Sequence, residues 1–137
     1  MAEDYIMRLT AQIAAMLAAI LGKRNDGKIA EARQDLNKLC LDHIGLPLST
    51  VKQMTLEALR DHLAQSGGNR IHRSLLLAEM LIHDAEMSTL GDSSPEAQVC
   101  YYHAASLLRD SIHFLPLSDQ EAISDRLTFV RGKLQLQ

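Results

Sequence analysis

A chain of 137 residues, 47% of them hydrophobic, suits one domain, which at this length buries about two-thirds of the surface its unfolded form exposes. With 4% aromatics and no tryptophan, the core must come from Leu, Ile, Ala and Met; this mixture favours helices, and the scattered β-branched residues never alternate as a strand requires. The net charge of −3 opposes a phosphate backbone, and the basic cluster Lys23, Arg24 and Lys28 lies at a helix end, where it complements the dipole; nucleic acid is therefore excluded as an expected partner.

The first helix is expected from Asp4, an acceptable N-cap, to Gly22, with Ile6, Leu9, Ile13, Leu17 and Ile20 as its apolar stripe. A second face of Ala11, Ala15, Ala18 and Gly22 lets another backbone approach closely, either a neighbour in this chain or the same helix of a second copy. Ala11–Leu21 is apolar, but Glu3 and Asp4 stand where a signal peptide needs positive charge, and the run is too short to span a bilayer. No membrane association and a cytoplasmic location are expected, consistent with Cys40 and Cys100 reading as small buried hydrophobes in a reducing compartment.

Asn25-Asp26-Gly27 is a tight turn, after which Lys28–Ile44 forms the second helix, with Ile29, Ala32, Leu36, Leu39 and Cys40 inward. Gly45, Leu46 and Pro47 end it in the left-handed-glycine arrangement. Residues 45–68 read as an irregular insert, in which Thr50 and Gln53 box a single turn and Thr55 caps Leu56–Ala64. Ser66-Gly67-Gly68 is a hinge-like loop too short to divide domains, so 1–137 is one unit.

The central element is Arg70–Leu90, capped by Asn69, ended by Gly91 and apolar nearly all round, the pattern of a helix jacketed by others. Ser94 and Pro95 then open a helix burying Ala97, Cys100, Tyr101, Ala104, Leu107, Leu108 and Ile112, closed by Pro116. Ser118-Asp119-Gln120-Glu121 boxes a last helix whose single stripe, Ile123, Leu127, Val130 and Leu134, suits a lid on the stack. The expected fold is all-α: about six helices in TPR-like antiparallel hairpins with a C-terminal capping helix.

The TPR-like reading rests on a repeat. Glu31-Ala32 with Leu36 and Leu39, and Glu96-Ala97 with Tyr101 and Ala104, share the second-helix pattern of a tetratricopeptide repeat, in which alanine lets two helices touch. The two alanines stand 65 residues apart, close to two repeats of about 34. The first-helix signature is missing, since Ala19, Ile20 and Lys23, and Asp84, Ala85 and Ser88, stand at those places. An ordinary antiparallel bundle is the alternative.

The opening adds a resemblance. Asp4-Tyr5-Ile6-Met7-Arg8, then Ile20-Leu21-Gly22 and Gly27 leading into Glu31-Ala32, resemble a family of small bacterial proteins classed as a domain of unknown function with TPR-like helices. The resemblance covers the first third of the chain. It implies the fold and carries over no activity.

Candidate chemistry is sparse. His72, Glu79, His83 and Glu86 share a narrow stripe of the central helix, and His103 or His113 could complete a metal shell with them. Neither His-Glu-x-x-His nor Glu-x-x-His occurs, and a polar stripe on an apolar helix is more simply its solvent edge, so no metal or other cofactor is expected; a small helical metal-binding protein is the alternative function. Nothing activates Cys40 or Cys100 as a nucleophile, and Gly67-Gly68 lacks the lysine of a phosphate loop.

What remains is surface. Aligned on the alanines, a concave groove would present Leu17, Leu21, Arg24, Glu79, Ile82, Glu86 and Leu90, a mixture suited to a peptide or helix of another protein. The plainer alternative is that these residues pack on the insert helix. The reading from sequence is a non-enzymatic protein–protein interaction module, expected to homodimerise through its first helix.

Overall fold

Leu, Ala, Ile and Met recurring at the helical period fold here as helices throughout. A computed structural model describes residues 2–134, with side chains for 11, 12 and 14–134. Among these residues the order is α1 (Ala2–Asn25), α2 (Ile29–Ile44), α3 (Leu48–Val51), α4 (Leu56–Ala64), a 3₁₀ turn (Gly67–Asn69), α5 (Arg70–Glu86), α6 (Pro95–Ile112) and α7 (Leu117–Lys133), with no strand. The class is all-α, as expected.

Helix α5 is the hub. It packs on α2, α4 and α6, while α6 carries α7, and α1 lies against α2 and α7. From Ser74 to Ala85 every residue of α5 is buried except Glu79 and His83. The hinge-like stretch before it is compact: Ser66 leads straight into the 3₁₀ turn, and Arg73 Nη1 donates to Ser66 Oγ at 2.9 Å. Ala32, Leu36, Ala97, Tyr101 and Ala104 are all completely buried.

Several helix ends obey the local rules. Gly45 adopts φ +92° and its N–H closes on Leu41 O, a left-handed stop that a residue with a Cβ adopts only at a cost. Thr55 Oγ1 accepts from Ala58 N at 3.1 Å, and Ser94 Oγ from Ala97 N at 3.2 Å with Pro95 in the first turn.

Others depart from expectation. Helix α1 starts at Ala2 and runs to Asn25, so Asp4 lies inside it and does not cap it; the side chains of Ile6, Leu9 and Ile13 lie outside the described residues. The single turn at Thr50 and Gln53 is instead Leu48–Val51 behind extended Pro47, because Leu48 and Val51 are the residues that reach the core and Ser49 N finds Asn37 Oδ1. Asn69 makes no side-chain cap, since the 3₁₀ turn already leads the chain into α5. Helix α7 begins one residue before Ser118, whose box is replaced by Pro116 O accepting from Asp119 N and Gln120 N.

The largest difference is at the end of α5, which stops at Glu86 and not at Leu90. Leu90 stands 75% exposed, so a further turn would bury nothing. Ser88 Oγ also captures Leu90 N at 3.3 Å, offering the backbone a local alternative to the helix.

Candidate partner-binding groove and the charges around it

Helix α1 is covered on one side only. Leu17 and Ile20 are buried, whereas Ala11, Ala14, Ala15, Ala18, Ala19 and Gly22 are exposed. Between α1 and the α5–α6–α7 layer lies a cavity of about 340 Å³, lined by Ala14, Leu17, Ala18, Leu21, Leu75, Glu79, His83, Leu108 and Ile123. Leu17 and Leu21 of α1, Leu75 of α5 and Leu108 of α6 make most of this wall, Glu79 and His83 of α5 add its polar edge, and alanines at 14 and 18 leave the space unfilled.

The expected groove residues divide. Leu17, Leu21 and Glu79 meet at the cavity, and Arg24 and Glu86 form an ion pair of 3.7 Å between α1 and α5. Ile82 is completely buried in the core and offers no surface, while Leu90 sits in the turn beyond α5.

The polar stripe of α5 is half-buried, and it meets cations from both flanking helices. Arg126 of α7 holds both oxygens of Glu79 at 2.9 Å. Burial works against the Arg126 charge, but the Glu79 carboxylate outweighs it and holds the guanidinium above its usual value. His83 lies between two acids, its Nε2 3.6 Å from Glu79 Oε2 and its Nδ1 3.5 Å from Glu86 Oε1; both separations are long for hydrogen bonds, and Nδ1 has no partner. The adjacent His83 ring, with Arg24 and Arg126 beyond it, holds Glu86 below the usual carboxylate value.

His72 stands apart, two turns and about 10 Å along α5 from Glu79, where burial and then the nearby His43 and Arg73 lower its pKa. His103 is turned to Met54 O at 2.9 Å, and His113 is exposed. Among the described residues no three His, Cys, Asp or Glu side chains are grouped to hold a metal.

A second charged cluster carries no sequence motif. Asp84 is 3% exposed on α5, and its carboxylate accepts from Arg33 Nε at 3.1 Å, Arg33 Nη2 at 3.2 Å and Lys52 Nζ at 3.0 Å. Glu96 Oε1 closes the ring on Arg33 Nη2 at 2.8 Å and Lys52 Nζ at 2.7 Å. Asp84 raises the Arg33 pKa above its usual value; burial opposes the Lys52 charge, and Glu96 and Asp84 together outweigh it. The only sequence signal was an aspartate inside an otherwise apolar helix, a position where a lone charge must find partners.

Burial pushes the thiols of Cys40 and Cys100 up to about 12, leaving them protonated at neutral pH. No described helix is long and apolar enough to cross a membrane. No protein-family model, curated protein or solved structure matches the chain.

Proposed function

We propose that this protein is a non-enzymatic interaction module of TPR-like helices that self-associates through α1 and docks other proteins beside it. The observation that carries the reading is the one-sided burial of α1: Leu17 and Ile20 anchor it, while Ala11, Ala15, Ala19 and Gly22 are exposed on the other side. Small side chains permit the close helix approach that an isologous pair needs. The half-buried Leu21 and the Arg24–Glu86 pair lie on the opposite side of α1, toward α5, and would give a second protein docking there both apolar and charged contacts. The buried alanines that open α2 and α6 support the TPR-like reading.

Ala15 and Ala19 lie one turn apart on the exposed face and do not line the cavity. Sedimentation velocity at micromolar concentration should report a dimer for the natural chain and a monomer of unchanged helicity for Ala15→Glu/Ala19→Glu. A natural chain that is monomeric at every concentration tested overturns self-association. Charge reversal at Glu86 should weaken recovery of partners from the native host; unchanged recovery removes the docking face.

A further inference from the structure

Protein interiors pack as densely as organic crystals, and an apolar void of about 150 Å³ is already enough to bind benzene. The space under α1 is larger, about 340 Å³, and falls within the size range of natural small-molecule pockets, about 300–1,000 Å³. Its floor of Leu17, Leu75 and Leu108 is at most 6% exposed, so a molecule seated there would lie against dry hydrocarbon.

The charges near the cavity restrict what it can hold. Glu79 already has both oxygens on Arg126, and Glu86 faces Arg24 across the end of α1. Two carboxylates and two guanidiniums cancel, so an added anion or cation would enter a leucine-lined space with no counter-charge to meet it. One polar group remains: His83 lines the cavity, and while its Nδ1 is sealed off facing Glu86 at 3.5 Å, its Nε2 stands off Glu79 Oε2 by 3.6 Å, too far for a hydrogen bond. Buried polar atoms are nearly always paired, and this imidazole keeps hydrogen-bonding capacity beside an apolar wall.

We propose that the cavity between α1, α5, α6 and α7 binds an uncharged, mostly apolar small molecule that presents one hydroxyl or carbonyl oxygen to His83. This site lies beneath α1, whereas self-association uses the helix's outer face, so either can fail alone.

Titration calorimetry with n-octanol, octanoate and octylammonium compares one chain length under three head groups. Saturable binding of n-octanol is expected, with both ions at least tenfold weaker. Ile123→Trp fills the cavity from α7 without touching the outer face of α1, and should abolish binding while circular dichroism stays unchanged; Ala14→Leu, at the cavity rim on α1, fills it from the other side should the tryptophan disturb the fold. His83→Phe, which keeps the apolar wall, should weaken n-octanol about fivefold, the loss of one hydrogen bond. No saturable n-octanol binding, or full binding to both filled variants, overturns the site. Octanoate or octylammonium binding as tightly as n-octanol overturns the uncharged class, and an undiminished His83→Phe variant overturns the role of the imidazole. A monomeric protein that still binds n-octanol would sink self-association and leave this site standing.

Discussion

The Asp84 ring gives the sharpest test of how this fold is held. Asp84→Asn preserves volume and one acceptor oxygen but removes the charge received by three hydrogen bonds from Arg33 and Lys52. A hydrogen bond to a charged group contributes about 1.5–3 kcal/mol against about 1 for a neutral one, and breaking a fully buried pair costs about 3–5 kcal/mol. Here Arg33 and Lys52 keep Glu96, and with side chains 27% and 18% exposed they recover some water. The net loss should therefore be about 2–3 kcal/mol, or roughly 7–10 °C in Tm at the usual unfolding entropy per residue. Glu96→Gln touches the same cations, but its side chain is 44% exposed, so it should cost only about 0.5 kcal/mol. Urea unfolding followed by far-UV circular dichroism at neutral pH measures both. Asp84→Asn within about 0.5 kcal/mol of the natural protein, or Glu96→Gln equally damaging, would refute the argument that burial sets the strength of this ring.

Two further outcomes follow from the titrating groups. Cys40 and Cys100 are completely buried with thiols pushed up to about 12. Alkylation of the folded protein at mildly alkaline pH should therefore run on the order of a thousandfold below a free thiol and recover in urea; fast labelling without denaturant would contradict their burial. In Glu96, Asp92 and Glu86 the pKa is held down chiefly by Lys52, Lys133 and His83 respectively, so each lies below its ordinary value of 4.5, 3.8 and 4.5. A depressed carboxylate contributes stability that is complete above its unfolded pKa and lost as pH falls through the folded one. Tm should decline gently below about pH 6.5, as the unfolded chain protonates a His72 whose charge the fold disfavours, and then fall further below about pH 5, that second limb being less steep in Glu96→Gln/Asp92→Asn; an identical acid limb in that variant would refute the assignment.

The helices of this protein were legible because each depends on its own neighbours in sequence. The α2 stripe, the Gly45 stop and the Thr55 and Ser94 caps all need information from a few adjacent residues, and all appear in place. The failures occur where two local signals compete or where a distant residue decides. Ser118 lost its capping role to a proline two positions earlier, and α5 ended early because nothing beyond Glu86 offered apolar surface to cover. The stripe of Glu79, His83 and Glu86 read as a solvent edge because its cations come from α1 and α7, and Arg24 and Arg126 are brought to it only by packing. The Asp84 ring was illegible for the same reason: Arg33, Lys52 and Glu96 stand 51, 32 and 12 residues away in sequence, and no local pattern links them.

Asp92, in the connector between α5 and α6, receives Tyr101 Oη–H at 2.8 Å and Lys133 Nζ at 2.9 Å, while Gln98 Nε2 reaches both Asp92 O and Lys133 O. The last turn of α7 is thus knotted to a loop 41 residues earlier in the chain. Release of that knot would unpin the connector, unseat the buried Tyr101 ring and let α7 fray as one event, so these two segments belong to a single opening unit of the native state.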